Sequence, residues 1–295
     1  DGGYALVRNG QELRASWYEG YDGVRGVPIL IGSPAVGDDL MAAWPAPPTD
    51  SPEVPYLVPT SAVAGDPLSS AGSDTAGDPS YQQLWVDPAD PWRSVFVTTN
   101  PDESPFHQNT VAIDVAGWDD ARMSWSGPDY RSITLADPGG AVYVSTRGIS
   151  EWSALDVAAA LTRAPSGLGW DLAGAGLEPL AAAWLTRYDG WTIRWREAEL
   201  WVSSTGLEPF NTGMGDGGAR LVDIDGSTGW LHDSGGRVSI AWTVRPGVTA
   251  LFGYLGDADD ALSIVRSLTE VDHDAWLAFA PADPSTNDGC NSMFC

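Results

Sequence analysis

The chain has 295 residues, 43% of them hydrophobic and 15 of them Trp, enough to bury one large core or two ordinary ones. Its 40 acidic residues against 15 basic ones leave a net charge of -25, a field that repels nucleic acid and anionic lipid headgroups. All 15 basic residues are Arg and none is Lys, which excludes a phosphate-loop lysine, a Schiff base and a Ser-Lys dyad.

Asp outnumbers Glu by 30 to 10. A composition rich in Ala, Gly, Pro, Asp and Arg is what a GC-rich genome encodes, and an Asp-rich surface without Lys also suits high salt; both readings stay open. No apolar run reaches the roughly 18 residues that a membrane-spanning helix needs. The start at Asp1 rather than Met points to a signal peptide or membrane anchor removed ahead of it, and so to an exported chain.

From the N-terminus, "YALVRNGQELRASWY" sets Asn9-Gly10 between two strand-like runs, the strongest short signal for a tight hairpin. "LMAAWP" at Leu40 echoes "LAAAWL" at Leu180, as though a short apolar lead-in occurred twice. Residues 60–80, rich in Ser, Gly, Ala, Asp and Pro, read as a mobile inserted loop.

The rest of the chain is self-similar. "VAIDVAG" ending at Gly117 answers "RLVDIDG" ending at Gly226, and "SITL" from Ser132 answers "SIAW" from Ser239. "GAVYVSTRG" from Gly140 and "VTALFGYLG" from Val248 lie about 108 positions apart, each after a Pro-Gly pair, Pro138-Gly139 and Pro246-Gly247. "ALDVAAAL" from Ala154 then matches "ALSIVRSL" from Ala261, and even "SPF" at Phe106 finds "EPF" at Phe210. The offset drifts only between about 104 and 109, and chance does not keep such an order.

Short runs of Val, Ile, Trp and Tyr between Gly, Pro, Asp and Ser predict an antiparallel meander, and Pro followed by Gly predicts type II turns. Leu155, Ala158 and Leu161, like Leu262, Val265 and Leu268, fall at helical spacing on one face. The expected fold is α+β: two tandem repeats, each a meander sheet with a C-terminal helix packed on one face. The expected divisions are a hairpin and lead-in over 1–55, a first repeat over 56–175, a second over 176–281 and a tail over 282–295.

His107, His232 and His273 are far apart, and no H-x-x-x-H spacing pairs any of them. Asp272, His273 and Asp274 are adjacent at a helix end, where neighbouring side chains diverge. Asp223 and Asp225 before Gly226 lack the further carboxylates of a calcium loop, and a turn explains them. Ser126-Gly127 and Ser234-Gly235 stand at turns, and G-x-S-x-G is absent. Trp125, Trp152, Trp170, Trp191, Trp195, Trp201, Trp230, Trp242 and Trp276 fall on strand or helix edges, where core packing explains them better than sugar stacking. No catalytic, cofactor or metal residue is assigned. Cys290 and Cys295, separated by four residues, are expected to form a disulfide in an oxidising compartment.

The closing pattern "GWLHDSGGRVSIAWTVRPGVTALFGYLGDADDALSIVRSL" is similar to the end of extracytoplasmic domains of Gram-positive, actinobacterial-type anti-sigma-like membrane proteins and lipoproteins. The resemblance rests on a Trp-bearing strand, a Gly turn, an apolar strand ending in Gly and a helix ending Ser-Leu. It implies an exported sheet-and-helix domain without assigned catalytic residues. The doubled unit departs from that pattern.

The expected function is therefore a non-catalytic extracytoplasmic protein-interaction domain, the outer part of a membrane-associated protein or a subunit of a cell-surface assembly. The expected partner is another protein. One alternative is a secreted carbohydrate-binding protein or glycosidase using exposed Trp, and a further one is a carrier of lipid or another hydrophobic ligand.

Overall fold

β-branched and aromatic residues alternating with polar ones favour strands half-buried on one face, and such strands dominate this α+β fold. The computed structural model describes residues 2–8, 11–17, 31–32, 53–71, 75–100, 110–125, 130–137, 140–165, 169–172, 174–204, 206–207, 209–210 and 219–282. Near the N-terminus, β1 (Gly2–Arg8) pairs antiparallel with β2 (Gln11–Trp17), from Gly2↔Trp17 to Arg8↔Gln11, so residues 9 and 10 join the strands. β3 (Ile31–Gly32) extends this sheet beside β2.

β4 (Tyr56–Pro59) and β5 (Leu68–Ala71) come next. The stretch over 60–80, which its composition marks as a loop, thus carries β5 and the first residues of β6 (Thr75–Val86). After β7 (Ser94–Asn100) follow β8 (Val111–Ile113), β9 (Ala121–Trp125), β10 (Tyr130–Asp137) and β11 (Gly140–Arg147). Helix α1 (Glu151–Ala160), β12 (Leu161–Arg163), β13 (Trp170–Leu172) and β14 (Glu178–Tyr188) close this stretch. The first seven-stranded sheet has the order β14-β6-β7-β11-β10-β9-β8.

A second run begins with β15 (Gly190–Arg194) and β16 (Ala198–Ser203). β17 (Ala219–Ile224), β18 (Ser227–Asp233), β19 (Arg237–Arg245) and β20 (Val248–Leu255) follow, then helix α2 (Ala258–Arg266), β21 (Leu268–Val271) and helix α3 (His273–Phe279). The second seven-stranded sheet has the order β5-β15-β16-β20-β19-β18-β17. Read from β6 and from β15, the two orders correspond strand for strand.

The expected meander holds only for β8 to β11 and for β17 to β20. β7 pairs with β11 and β16 with β20, because the strand after the long connection joins the far side of the sheet. Nor does the second run end on its helix: α2 is followed by β21 and α3.

Side-chain alternation sorts the core into layers. Met123, Ile133, Val142 and Val144 face α1 with Ala154, Val157 and Ala158. Leu231, Ile240, Val248 and Phe252 face α2 with Ala261, Leu262, Ile264 and Val265. The opposite faces of the two sheets meet through Leu84, Val86 and Ala183 from the first and Trp230, Ala241 and Leu251 from the second, with Leu207 and Phe210 between them. Each fully buried Leu, Ile or Phe stabilises the fold by about 1.5–3 kcal/mol relative to exposure.

Local signals set the ends of these elements. Ser150, Asp257 and Asp272 cap α1, α2 and α3, each accepting from a backbone N–H two or three residues on, and Arg266 sits at the negative end of α2. The two residues between β17 and β18, Asp225 and Gly226, have φ of 50° and 88°, the mirror-image turn that a tight hairpin requires. Gly247, after Pro246 in the β19–β20 connection, has φ of 79°, as the third position of a type II turn demands.

Candidate functional site

The side chains of Asp272 and Ser234 bond to the backbone. Asp272 is the cap of α3, its carboxylate accepting from Ala275 N–H at 2.8 Å. The Asp223 carbonyl accepts from Arg266 Nη2 at 2.8 Å and Nε at 3.2 Å, tying the β17–β18 hairpin to α2. Ser234 Oγ donates to the carbonyl of Arg237 across the β18–β19 turn at 3.1 Å. Among the described residues no three His, Cys, Asp or Glu side chains group as a metal site. His107, Ser126, Gly127, Cys290 and Cys295 lie outside the described residues, as does Leu40.

The tryptophans divide in the same way. Trp170, Trp191, Trp195, Trp230, Trp242 and Trp276 are buried, and Trp201 is half-buried between the sheets. The side chains of Trp125 and Trp152 lie outside the described residues.

One set of residues is brought together from opposite ends of the chain. β4 and β5 precede the first sheet, yet both attach to the second half. β4 pairs antiparallel with β21 from Leu268↔Pro59 to Val271↔Tyr56, and Thr60 N–H continues the ladder to the Ser267 carbonyl at 3.1 Å. β5 forms the edge of the second sheet, from Arg194↔Leu68 to Trp191↔Ala71. On its other side the Ser69 N–H donates to the Pro281 carbonyl at 2.9 Å.

Side chains reinforce this seat. Val54 and Leu57 are buried in the α2-side core. Tyr56 lies among three rings, with centroids 4.9 Å from His273, 5.0 Å from Trp276 and 6.2 Å from Trp191. Trp191 Nε1 donates to the Pro55 carbonyl at 3.0 Å. Trp276 is buried and its indole N–H has no acceptor among the described residues. His273 is exposed on the rim of this nest. Ladder hydrogen bonds thus hold the extended backbone, while Val54 and Leu57 enter the core.

Composition hides this seat, because β4 and β5 are short and lie among Pro, Gly and Ser. A signal was nevertheless present: "PLSSA" at residues 67–71 and "PLAAA" at residues 179–183 share Pro, Leu and Ala at the same spacing. Leu68 stands in β5 and Leu180 in β14, the end strands of the two seven-stranded sheets.

Two strand edges face the other way. Among the described residues nothing pairs with the outer side of β8 or of β17. Val111 on β8 is 54% exposed, among the few large apolar side chains left in solvent. On β17 the Asp223 carbonyl points away from β18 toward Arg266, and Leu221, two residues earlier, presents its N–H and C=O the same way.

Burial raises the Tyr81 phenol above its ordinary pKa. Its ring packs on Trp184 at 5.3 Å, across the β6–β14 pair. No helix among the described residues is long and apolar enough to cross a membrane.

No family model matches the sequence, and no curated protein matches it. Among solved structures, the immunity protein TplEi of the type VI secretion system of Pseudomonas aeruginosa, complexed with the "L" peptide, is similar at 17% identity and a TM-score of 0.21. The match covers 69% of this chain and 91% of that one.

Proposed function

We propose that this chain is a non-catalytic, extracytoplasmic protein-interaction domain that takes an extended segment of a partner protein as an added strand. The observation that carries the reading is the outer edge of β17, whose Leu221 backbone groups have no partner among the described residues. An unpaired edge is a template for another strand. The net charge of -25 favours a basic partner through long-range attraction and disfavours nucleic acid. The role as the outer part of a membrane-associated protein, or as a subunit of a surface assembly, belongs to the same proposal.

The finer architecture belongs to it as well: a duplicated sheet-and-helix unit whose lead strands are exchanged. Support comes from the shared strand order and from matched segments that fall on corresponding strands, "SITL" in β10 with "SIAW" in β19 and "GAVYV" in β11 with "VTALF" in β20. In such a unit β13 and β14 correspond to β4 and β5, and each copy's lead strands close the other copy.

The test compares the full chain with Leu221→Pro as bait for proteins of the source cell envelope after crosslinking. Proline removes the outward N–H of an edge position without breaking the ladder to β18. A partner captured by the wild type and lost by Leu221→Pro, whose circular dichroism stays native, is the expected result. Capture by both proteins overturns the edge, and recovery of the uncomplexed chain alone overturns the interaction.

A further inference from the structure

The seat of residues 53–71 holds an extended segment from a distant part of the chain. Its bonds span large sequence separations: 136 residues for Trp191 Nε1 to the Pro55 carbonyl and 207 for Thr60 Oγ1 to the Ser267 carbonyl, at 3.0 Å each. Among the described residues nothing in the first sheet pairs with β4 or β5, and three residues separate Ala71 from Thr75 along the chain. Meanwhile β14, which leads into β15 through Asp189 alone, pairs across to β6 of the first sheet. The two halves therefore trade lead strands in both directions.

We propose that the second half, residues 190–282, is a strand-accepting site whose trans occupant is the same segment, 53–71, of a second copy of this chain. The product is a two-fold symmetric dimer in which each copy's β4 lies on its partner's β21 and each β5 on its partner's β15. This inference rests on the strand-addition reading above but names a different edge and a different partner. Every contact of the seat is reproduced in the exchanged form, so exchange gives up none of them.

Competition in cis sets when exchange appears. A segment tethered to its own seat acts at an effective concentration on the order of mM, so exchange needs a concentrated protein or slow refolding from the unfolded chain. The charge of -25 on each copy opposes association, and salt screens that repulsion. Exchange should therefore grow with both protein concentration and ionic strength.

The register supplies the probe. Thr269 and Val58 are Cα partners in the β4–β21 ladder, a spacing that suits a disulfide. Two full-length proteins, V58C and T269C, each with C290S and C295S and with tags of different size, are mixed, refolded together at high concentration and high salt, and oxidised. The expected result is a heterodimer joined between positions 58 and 269, at several times the yield from proteins refolded apart and then mixed. Homodimers and monomers alone, with no such heterodimer, overturn the exchange. The chain carrying both V58C and T269C reads the seat itself: an intramolecular bond at low concentration is expected, and its absence also overturns the proposal. Loss of the heterodimer while partner capture persists would remove this inference and leave the interaction reading standing.

Discussion

Trp191, on the first strand of the second sheet's own run, donates its indole N–H to the carbonyl of Pro55, 136 residues earlier, at 3.0 Å. That bond ties the segment over 53–71 to the first strand of the second half. Trp191→Phe keeps an aromatic ring but removes the donor and part of the buried indole's volume, so it should cost about 2–3 kcal/mol. Hydrogen exchange checks where the loss falls: protection should drop at residues 56–60 and 268–271 and stay unchanged in β9 to β11.

Two buried indoles should answer the same substitution differently. Trp170 Nε1 donates to Thr99 Oγ1 at 2.8 Å, whereas Trp276 Nε1 has no acceptor among the described residues. Trp170→Phe loses a bond and leaves a buried hydroxyl, an expected loss of about 2 kcal/mol. Trp276→Phe opens a similar gap but removes an unsatisfied donor that was already costly to bury, so it should cost about 1 kcal/mol less than Trp170→Phe. Denaturant unfolding of the pair, compared at equal slope, checks the order.

Gln82 links the two halves. From β6 its Oε1 accepts the N–H of Leu207 at 2.7 Å, and both residues are buried. Gln82→Leu leaves that N–H without its acceptor and should cost about 1–3 kcal/mol. Calorimetry should show the two halves melting less cooperatively, because this bond lies beside the apolar layer they share.

Tyr81 gives a pH dependence whose sign is fixed. Burial raises its phenol pKa above the value near 10 of the unfolded chain, so the folded state keeps its proton longer. The stability tied to this group is whole below about pH 10 and is lost as the pH climbs through the folded pKa. Above that pH, unfolding free energy should fall more steeply in the wild type than in Tyr81→Phe, and matching slopes would discard the assignment.

Much of this was legible in the residues. The β17–β18 hairpin lies in "DIDGST", because Asp-Gly accepts positive φ at both turn positions. The α2 boundaries lie in Asp257, which caps, and Arg266, which meets the helix's negative end. The seat for residues 53–71 was not legible. A four-residue strand carries little periodicity, and the partners of Tyr56, namely Trp191, His273 and Trp276, are far away in sequence.

By itself the sequence determined the strand-rich α+β class, the turns and caps, and an acidic charge that turns nucleic acid away. Each of these is a local or additive property: φ preference, alternation of apolar residues, and summed charge. The tertiary structure alone decided which strands became neighbours, setting β7 beside β11 and sending β4 and β5 to the far half. Strand pairing is a competition among distant edges, and the edge that also buries Val54 and Leu57 and packs Tyr56 wins.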